Sequence, residues 1–283
     1  MSLIRLTIGR GLLDTAVVVA FDGWIDSGAA ATAAADHLAT GGEDAGGFED
    51  DLIFDYRSRR PTLEIVDGRP TDLTWPQLSL KRRRFGDRDL LILTGPEPDY
   101  RWRQLADDVV TMASQLGVQE WISLGAIPAA VPHTRPVPIL GTESRPGLLR
   151  GGIEAGPAGL LRVPSAAVSV LDLAIARAGI ATVGYYAQVP HYISGSYPAA
   201  SMELLRAVGH HVAGELDLAT LDAEARQLHA RLDGATALDD DTRSYVERLE
   251  AMVDEARLPS GDELISDIER FLRDRGTESG QRP

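Results

Sequence analysis

Thr15-Ala-Val-Val-Val-Ala-Phe21, then Asp22-Gly-Trp-Ile-Asp-Ser-Gly28, then the alanine-rich run from Ala29 to Leu38: this stretch decides the fold class. Its first part is continuously apolar and β-branched, the signature of a central strand buried on both faces rather than a strand with one wet side. Its last part is dominated by the strongest helix former. The unit therefore reads as strand, loop, helix.

Working outward, the pattern repeats. Asp89-Leu-Leu-Ile-Leu-Thr94, Glu120 to Leu124 and Ala181 to Val189 are further buried-strand runs. Helices are expected from Asp99, as N-cap, through Leu116 with Gly117 as its stop, over Val163 to Ala178, and over Ser201 to Val212. Gly41, Gly42, Gly46 and Gly47 mark a flexible turn before a strand at Leu52-Ile-Phe-Asp-Tyr56. Thr62 to Val66 alternates into Asp67-Gly68, a hairpin signal. Strands alternating with helices indicate an α/β core with a largely parallel sheet, here placed at residues 1–213.

Composition changes after Gly214. Residues 214–283 hold 18 Asp and Glu against 9 Arg, so this quarter carries −9 of the net −14. Leu218, Leu221, Ala225, Leu228 and Leu232 form one helical stripe; Tyr245, Leu249, Met252 and Ala256 form another. Gly234 and Asp239-Asp-Asp241 separate them, which predicts an antiparallel helix pair. A last short helix is expected over Leu264 to Leu272, capped by Ser260 or Asp262, and disorder from Gly276 to Pro283. The whole segment 214–283 is read as an acidic helical extension.

The charge argues against partnership with nucleic acid or anionic membrane. The one basic run, Lys81-Arg-Arg-Arg84, reads as a charged, exposed edge strand in preference to a phosphate patch. Lys81 is the only lysine and there is no cysteine, so thiol nucleophiles, disulfides and cysteine-ligated zinc are excluded. No signal peptide and no membrane-spanning run is apparent, and a cytoplasmic location is expected. No cofactor and no metal is implied: the loop at 22–28 is not a dinucleotide fingerprint, and there is no P-loop or H-E-x-x-H.

Candidate ligand-binding residues lie where strands end. Asp22, Trp24 and Asp26 follow the first strand at the edge where open α/β sheets bind ligands. The two carboxylates suit acid–base work or a cation; alternatively Asp26 or Ser27 caps the following helix and Trp24 packs. His133 and Arg135 share a proline-stiffened loop suited to an anion, or Arg135 pairs with a local carboxylate such as Glu143. His191, in Val189-Pro-His-Tyr192, ends the last strand. Gly156-Pro-Ala-Gly159 offers backbone amides to an anion, or is plain loop geometry. No catalytic set emerges.

Taken together, the segments Phe21 to Gly28, Gly95-Pro-Glu-Pro-Asp-Tyr-Arg-Trp102, Leu124-Gly-Ala-Ile-Pro-Ala-Ala-Val-Pro-His-Thr-Arg-Pro136, Gly156 to Gly159 and Val189 to Tyr192 resemble the proteasome assembly chaperone 2 family, in the form common in high-GC Gram-positive bacteria. The resemblance covers roughly residues 15 to 215. It implies a three-layer αβα sandwich akin to purine nucleoside phosphorylase-like folds, assembled as a homo-oligomer, with a trimer expected. Relatives help assemble proteasomes or bind their α-rings, some through a C-terminal hydrophobic-tyrosine-x motif that Gly280-Gln-Arg-Pro283 does not present. Ala158 also stands where a hydroxyl residue is expected. The leading expectation is thus a non-catalytic protein-binding or assembly-chaperone-like protein. The alternative is a phosphorylase-like enzyme or small-ligand binder that gathers Asp22, Asp26, His133, Arg135 and His191 in one pocket. A third reading is a scaffold whose oligomerisation is its function.

Overall fold

The computed structural model describes residues 2–256. At its centre four parallel strands lie in the order β7 (Arg88–Gly95), β2 (Ala16–Phe21), β8 (Glu120–Ala129), β10 (Ala181–Pro190). Val18 sits opposite both Ile92 and Ile122, so β2 is hydrogen-bonded on both sides. Every residue of β2 is buried. Val17, Val19 and Phe21 pack towards α3 (Trp102–Leu116) and α4 (Ala167–Arg177); Ala16, Val18 and Ala20 pack towards α1 (Ala30–Ala39) and α5 (Pro198–Val212). The continuous apolar run is thereby explained: each face of the strand meets its own helical layer. Burying one such valine contributes roughly 1.5–3 kcal/mol.

Antiparallel strands extend the sheet on both sides. β6 (Ser79–Phe85) pairs with β7, β3 (Glu43–Phe48) with β6, and β1 (Ile4–Leu6) with β3; at the far edge β9 (Ile139–Glu143) pairs with β10. Two expectations change here. The turn forms only at Gly41 and Gly42, while Gly46 and Gly47 belong to β3: a Cβ at Gly46 would lie 2.8 Å from the Arg5 carbonyl oxygen, so β1 closes over a residue without a side chain. The basic strand is not an edge strand either. β6 lies inside the sheet, and Arg82 and Arg84 turn to the inaccessible carboxylate of Asp89 at the start of β7.

Local corrections have local causes. Residues 50–53 form the short helix α2 (Asp50–Ile53) instead of beginning a strand, because the Ile53 carbonyl and the Asp55 amide bond to residues 99 and 100 and not to a neighbouring strand. Asp99 is thus engaged away from the helix start, and α3 begins at Trp102 after a left-handed Arg101. α4 starts at Ala167, its first amide held by Glu97. α5 begins at Pro198, where a proline costs no hydrogen bond. The hairpin forms as read, from β4 (Thr62–Val66) and β5 (Arg69–Thr74), and pairs with no other strand among the described residues.

After α5, α6 (Ala219–Leu238) runs through Gly234 without a break, and Asp239 alone separates it from α7 (Asp240–Ala256). Leu218, Leu221 and Leu228 pack against the α1–α5 layer, while Val246 and Leu249 of α7 are buried. The short helix and disordered tail expected beyond residue 257 lie outside the described residues.

Candidate functional site

The two acidic residues of the 22–28 loop serve different partners. Asp22 receives a two-pronged ion pair from Arg59 (2.7 and 2.8 Å) and a hydrogen bond from the Glu97 amide (2.9 Å). Asp26 turns inward and accepts from the Ala31 amide (2.7 Å) and the Thr32 hydroxyl, holding the first turn of α1. Burial pushes the Asp26 carboxyl up, against the pull of those donors. Trp24 does not pack inside; it stands 54% exposed.

His133, Arg135 and His191 come together elsewhere, under α6 and α7. The Tyr192 hydroxyl accepts from the His133 amide and lies 2.8 Å from its Nδ1, and the imidazole is 3.4 Å from Asp233 on α6. Burial, then the neighbouring His229, lower its pKa. Arg135 grips Asp254 with two nitrogens (2.7 and 2.9 Å) and Glu250 with a third (3.1 Å). His191 spans the Ala129 carbonyl (3.0 Å) and the Tyr245 hydroxyl (2.9 Å). Glu143, considered as a partner for Arg135, instead accepts from the amides of Leu148 and Leu149. The three residues therefore tie the helical pair to the sheet, and the two aspartates face other partners.

A largely apolar concavity lies on the other side of β10. There α4 leaves the outer strands β10 and β9 incompletely covered, and a cleft of about 620 Å³ runs along them. One end reaches Trp24 and Ile25, just past the carboxyl end of β2, and Ile127 and Pro128 in the last residues of the neighbouring strand β8. Strand order reverses between that pair of strands, which is where open α/β sheets place ligands. Leu161, Val163 and Leu173 line the apolar rim. On the floor, Asp172 of α4 accepts from Trp121 Nε1 and Ser123 Oγ, both at 2.8 Å, and from the Tyr186 hydroxyl. Burial pushes its carboxyl up to about 7, opposed only by those neutral donors.

The PAC2 family model matches residues 20–236. The chain belongs to the PAC2 family. No curated protein matches the sequence. Among solved structures, a Mycobacterium tuberculosis protein of unknown function is 32% identical over 89% of this chain and 91% of its own length, with a TM-score of 0.82. A proteasome-assembly chaperone homologue from the same organism is 34% identical over 82% of this chain and 99% of its own (TM-score 0.74). An archaeal proteasome activator from Pyrococcus furiosus shares the fold at 16% identity, covering 82% of this chain and 97% of that one (TM-score 0.64).

Within this PAC2 chain, the sequence reading named Trp24 but missed Asp172, Tyr186, Ser123 and Trp121. Asp172 sits in an ordinary helical stretch, Val170-Leu-Asp-Leu173, and its partners Ser123 and Trp121 are 49 and 51 residues away. The one available signal was a charged residue between apolar ones on a helix facing the sheet. Among the described residues no group of three or more His, Cys, Asp or Glu is placed to hold a metal ion, and no helix is long and apolar enough to cross a membrane.

Proposed function

We propose that this PAC2 protein is a non-catalytic, assembly-chaperone-like binding protein of the cytoplasm. It acts as a homo-oligomer, with three copies the expected number, on proteasome subunits or their assemblies. The observation that carries the reading is the β4–β5 hairpin. Both strands are exposed along their whole length, yet they carry Leu63, Ile65, Val66 and Leu73, each more than 40% exposed, with Trp75 immediately after. Leu63 faces Leu73 across the ladder. An isolated two-stranded hairpin is marginal in water, and exposed apolar clusters mark protein contacts. The hairpin is an arm built to be covered by another protein surface. The relatives named as a proteasome-assembly chaperone homologue and a proteasome activator supply the class of partner. The enzyme alternative finds less support, since Asp22, Asp26, His133, Arg135 and His191 are divided between separate structural roles.

The test is a Leu63→Asp/Leu73→Asp double variant, compared with the natural chain by light scattering and by co-purification of proteasome subunits from the native host. Both sites are on the surface, so unfolding free energy should change by less than about 0.5 kcal/mol per site. Loss of the co-purified subunits at unchanged stability is the expected result. Undiminished recovery of those subunits would sink the proposal that the hairpin is the contact arm.

A further inference from the structure

We infer that the cleft beneath Trp24 is a binding site for a small apolar molecule carrying a cationic amine, with the Asp172 carboxylate as its counter-charge. This site is separate from the hairpin and does not depend on the protein-binding reading.

Three observations converge. The first is the character of the walls. The cleft has the size of small-molecule sites, which run from about 300 to 1,000 Å³, and its lining is mostly apolar, with a few polar groups gathered on one floor. The ionisable side chains lining it are Asp172, Glu143 and Tyr186; no arginine, lysine or histidine is among them. Glu143 accepts two backbone amides, both on Oε2. The site therefore repels anions and presents two carboxylates to a cation, of which Asp172 is the one held by the aromatic donors of the floor.

The second is the unfilled capacity of that carboxylate. An ionised aspartate offers about four acceptor positions. Trp121, Ser123 and Tyr186 supply three donors, all of them neutral. Among the described residues no charge partner offsets the cost of desolvating this half-buried group, so a ligand ammonium reaching the free position completes both the hydrogen bonding and the charge balance. An apolar body then lies between Trp24 and the Leu161–Val163 rim, with the tyrosine and tryptophan rings available to the cation.

The third is rigidity. The Tyr186 ring is laid against the sheet over two glycines. A Cβ at Gly125 would come within 2.5 Å of its Cδ1, and one at Gly184 within 2.7 Å of its Cε2 and 2.6 Å of the Thr142 hydroxyl. Real Cβ atoms do not approach so closely, so the floor exists in this shape only because both positions lack side chains. The polar groups sit on β8, β9, β10 and α4, not on loops, which suits a preorganised site.

The experiment uses the full chain and three isosteric probes: 2-phenylethylamine, 2-phenylethanol and phenylacetate. Binding is followed by calorimetry and by tryptophan fluorescence, since Trp24 lines the cleft and Trp121, buried behind it, is hydrogen-bonded to Asp172. The amine is expected to bind at least tenfold more tightly than the alcohol, and phenylacetate not to saturate. Asp172→Asn should bring the amine within about threefold of the alcohol while leaving the alcohol unchanged, and Trp24→Ala should weaken both. Equal binding of amine and alcohol by the natural chain, no saturable binding of the amine, or discrimination that survives in a folded Asp172→Asn would each overturn the proposal. If that variant does not fold, the three-probe comparison on the natural chain decides alone.

Discussion

Tyr185 and Tyr186 are consecutive on β10 and point into opposite halves of the molecule. Tyr185 is fully buried under α5; its hydroxyl meets His211 at 2.8 Å, and His211 lies beside Glu120, which Arg88 grips at 2.7 Å. Tyr186 lies in the cleft, its hydroxyl bonded to an aspartate with no cation beside it. The two carboxyls respond in opposite directions. His211 and Arg88 hold Glu120 down at about 2, whereas burial among neutral donors raises Asp172 to about 7. One strand thus separates a face closed for stability from a face whose electrostatics are left unbalanced, and an ionised carboxylate there costs the fold something that a proton or a ligand cation can return.

The comparison is broken most directly at the tyrosines. Tyr185→Ala empties a sealed position and should cost about 3–5 kcal/mol, whereas Tyr186→Ala, at the wall of an open cleft, should cost about 2 kcal/mol or less, both read from urea denaturation midpoints. Equal losses would mean that the cleft face is as tightly closed as the α5 face.

A second prediction concerns Asp172. Its pKa is higher folded than unfolded (about 7 against 3.8), so its stabilising contribution is complete below pH 3.8 and disappears as pH rises through 7. Asp172→Asn should therefore be more stable than the natural chain at pH 8, on the order of 2 kcal/mol, with the gap closing towards pH 4. Thermal melts across that range check it; a gap independent of pH would show that Asp172 does not titrate there.

The smallest effect is expected at Glu120. Its folded pKa lies below the ordinary 4.5, so its contribution is present above that value and is lost as pH falls towards 2. The side chain is 30% exposed, which tempers the benefit. Glu120→Gln should cost about 1 kcal/mol at pH 6 and almost nothing near pH 2, as measured by acid titration of the two proteins.

Much of the fold was legible because its signals are local. The runs at Thr15–Phe21, Asp89–Thr94, Glu120–Leu124 and Ala181–Val189 are the four parallel strands, and Asp67-Gly68 turns the hairpin. β1, β3 and β9 were not read. Each is held by pairing with a distant strand, and β3 is built from Glu43-Asp-Ala-Gly-Gly-Phe48, which resembles a turn until β1 closes over Gly46. The candidate site was legible only in part. Arg135 was recognisable as an ion-pairing group, but its partners Glu250 and Asp254 lie more than a hundred residues away. Trp24 could be placed at the right sheet edge, but the cleft beneath it could not.

Sequence by itself determined the α/β class, the family, the helical stripes of α6 and α7 and the lack of thiol chemistry, since composition, periodicity and short motifs are properties of neighbouring residues. Tertiary structure alone decided that β6 lies inside the sheet, that His133, Arg135 and His191 anchor α6 and α7, and that Asp172 stands without a cation among the described residues. Those facts depend on which distant side chains share a small volume, and on how much water their packing leaves around a charge.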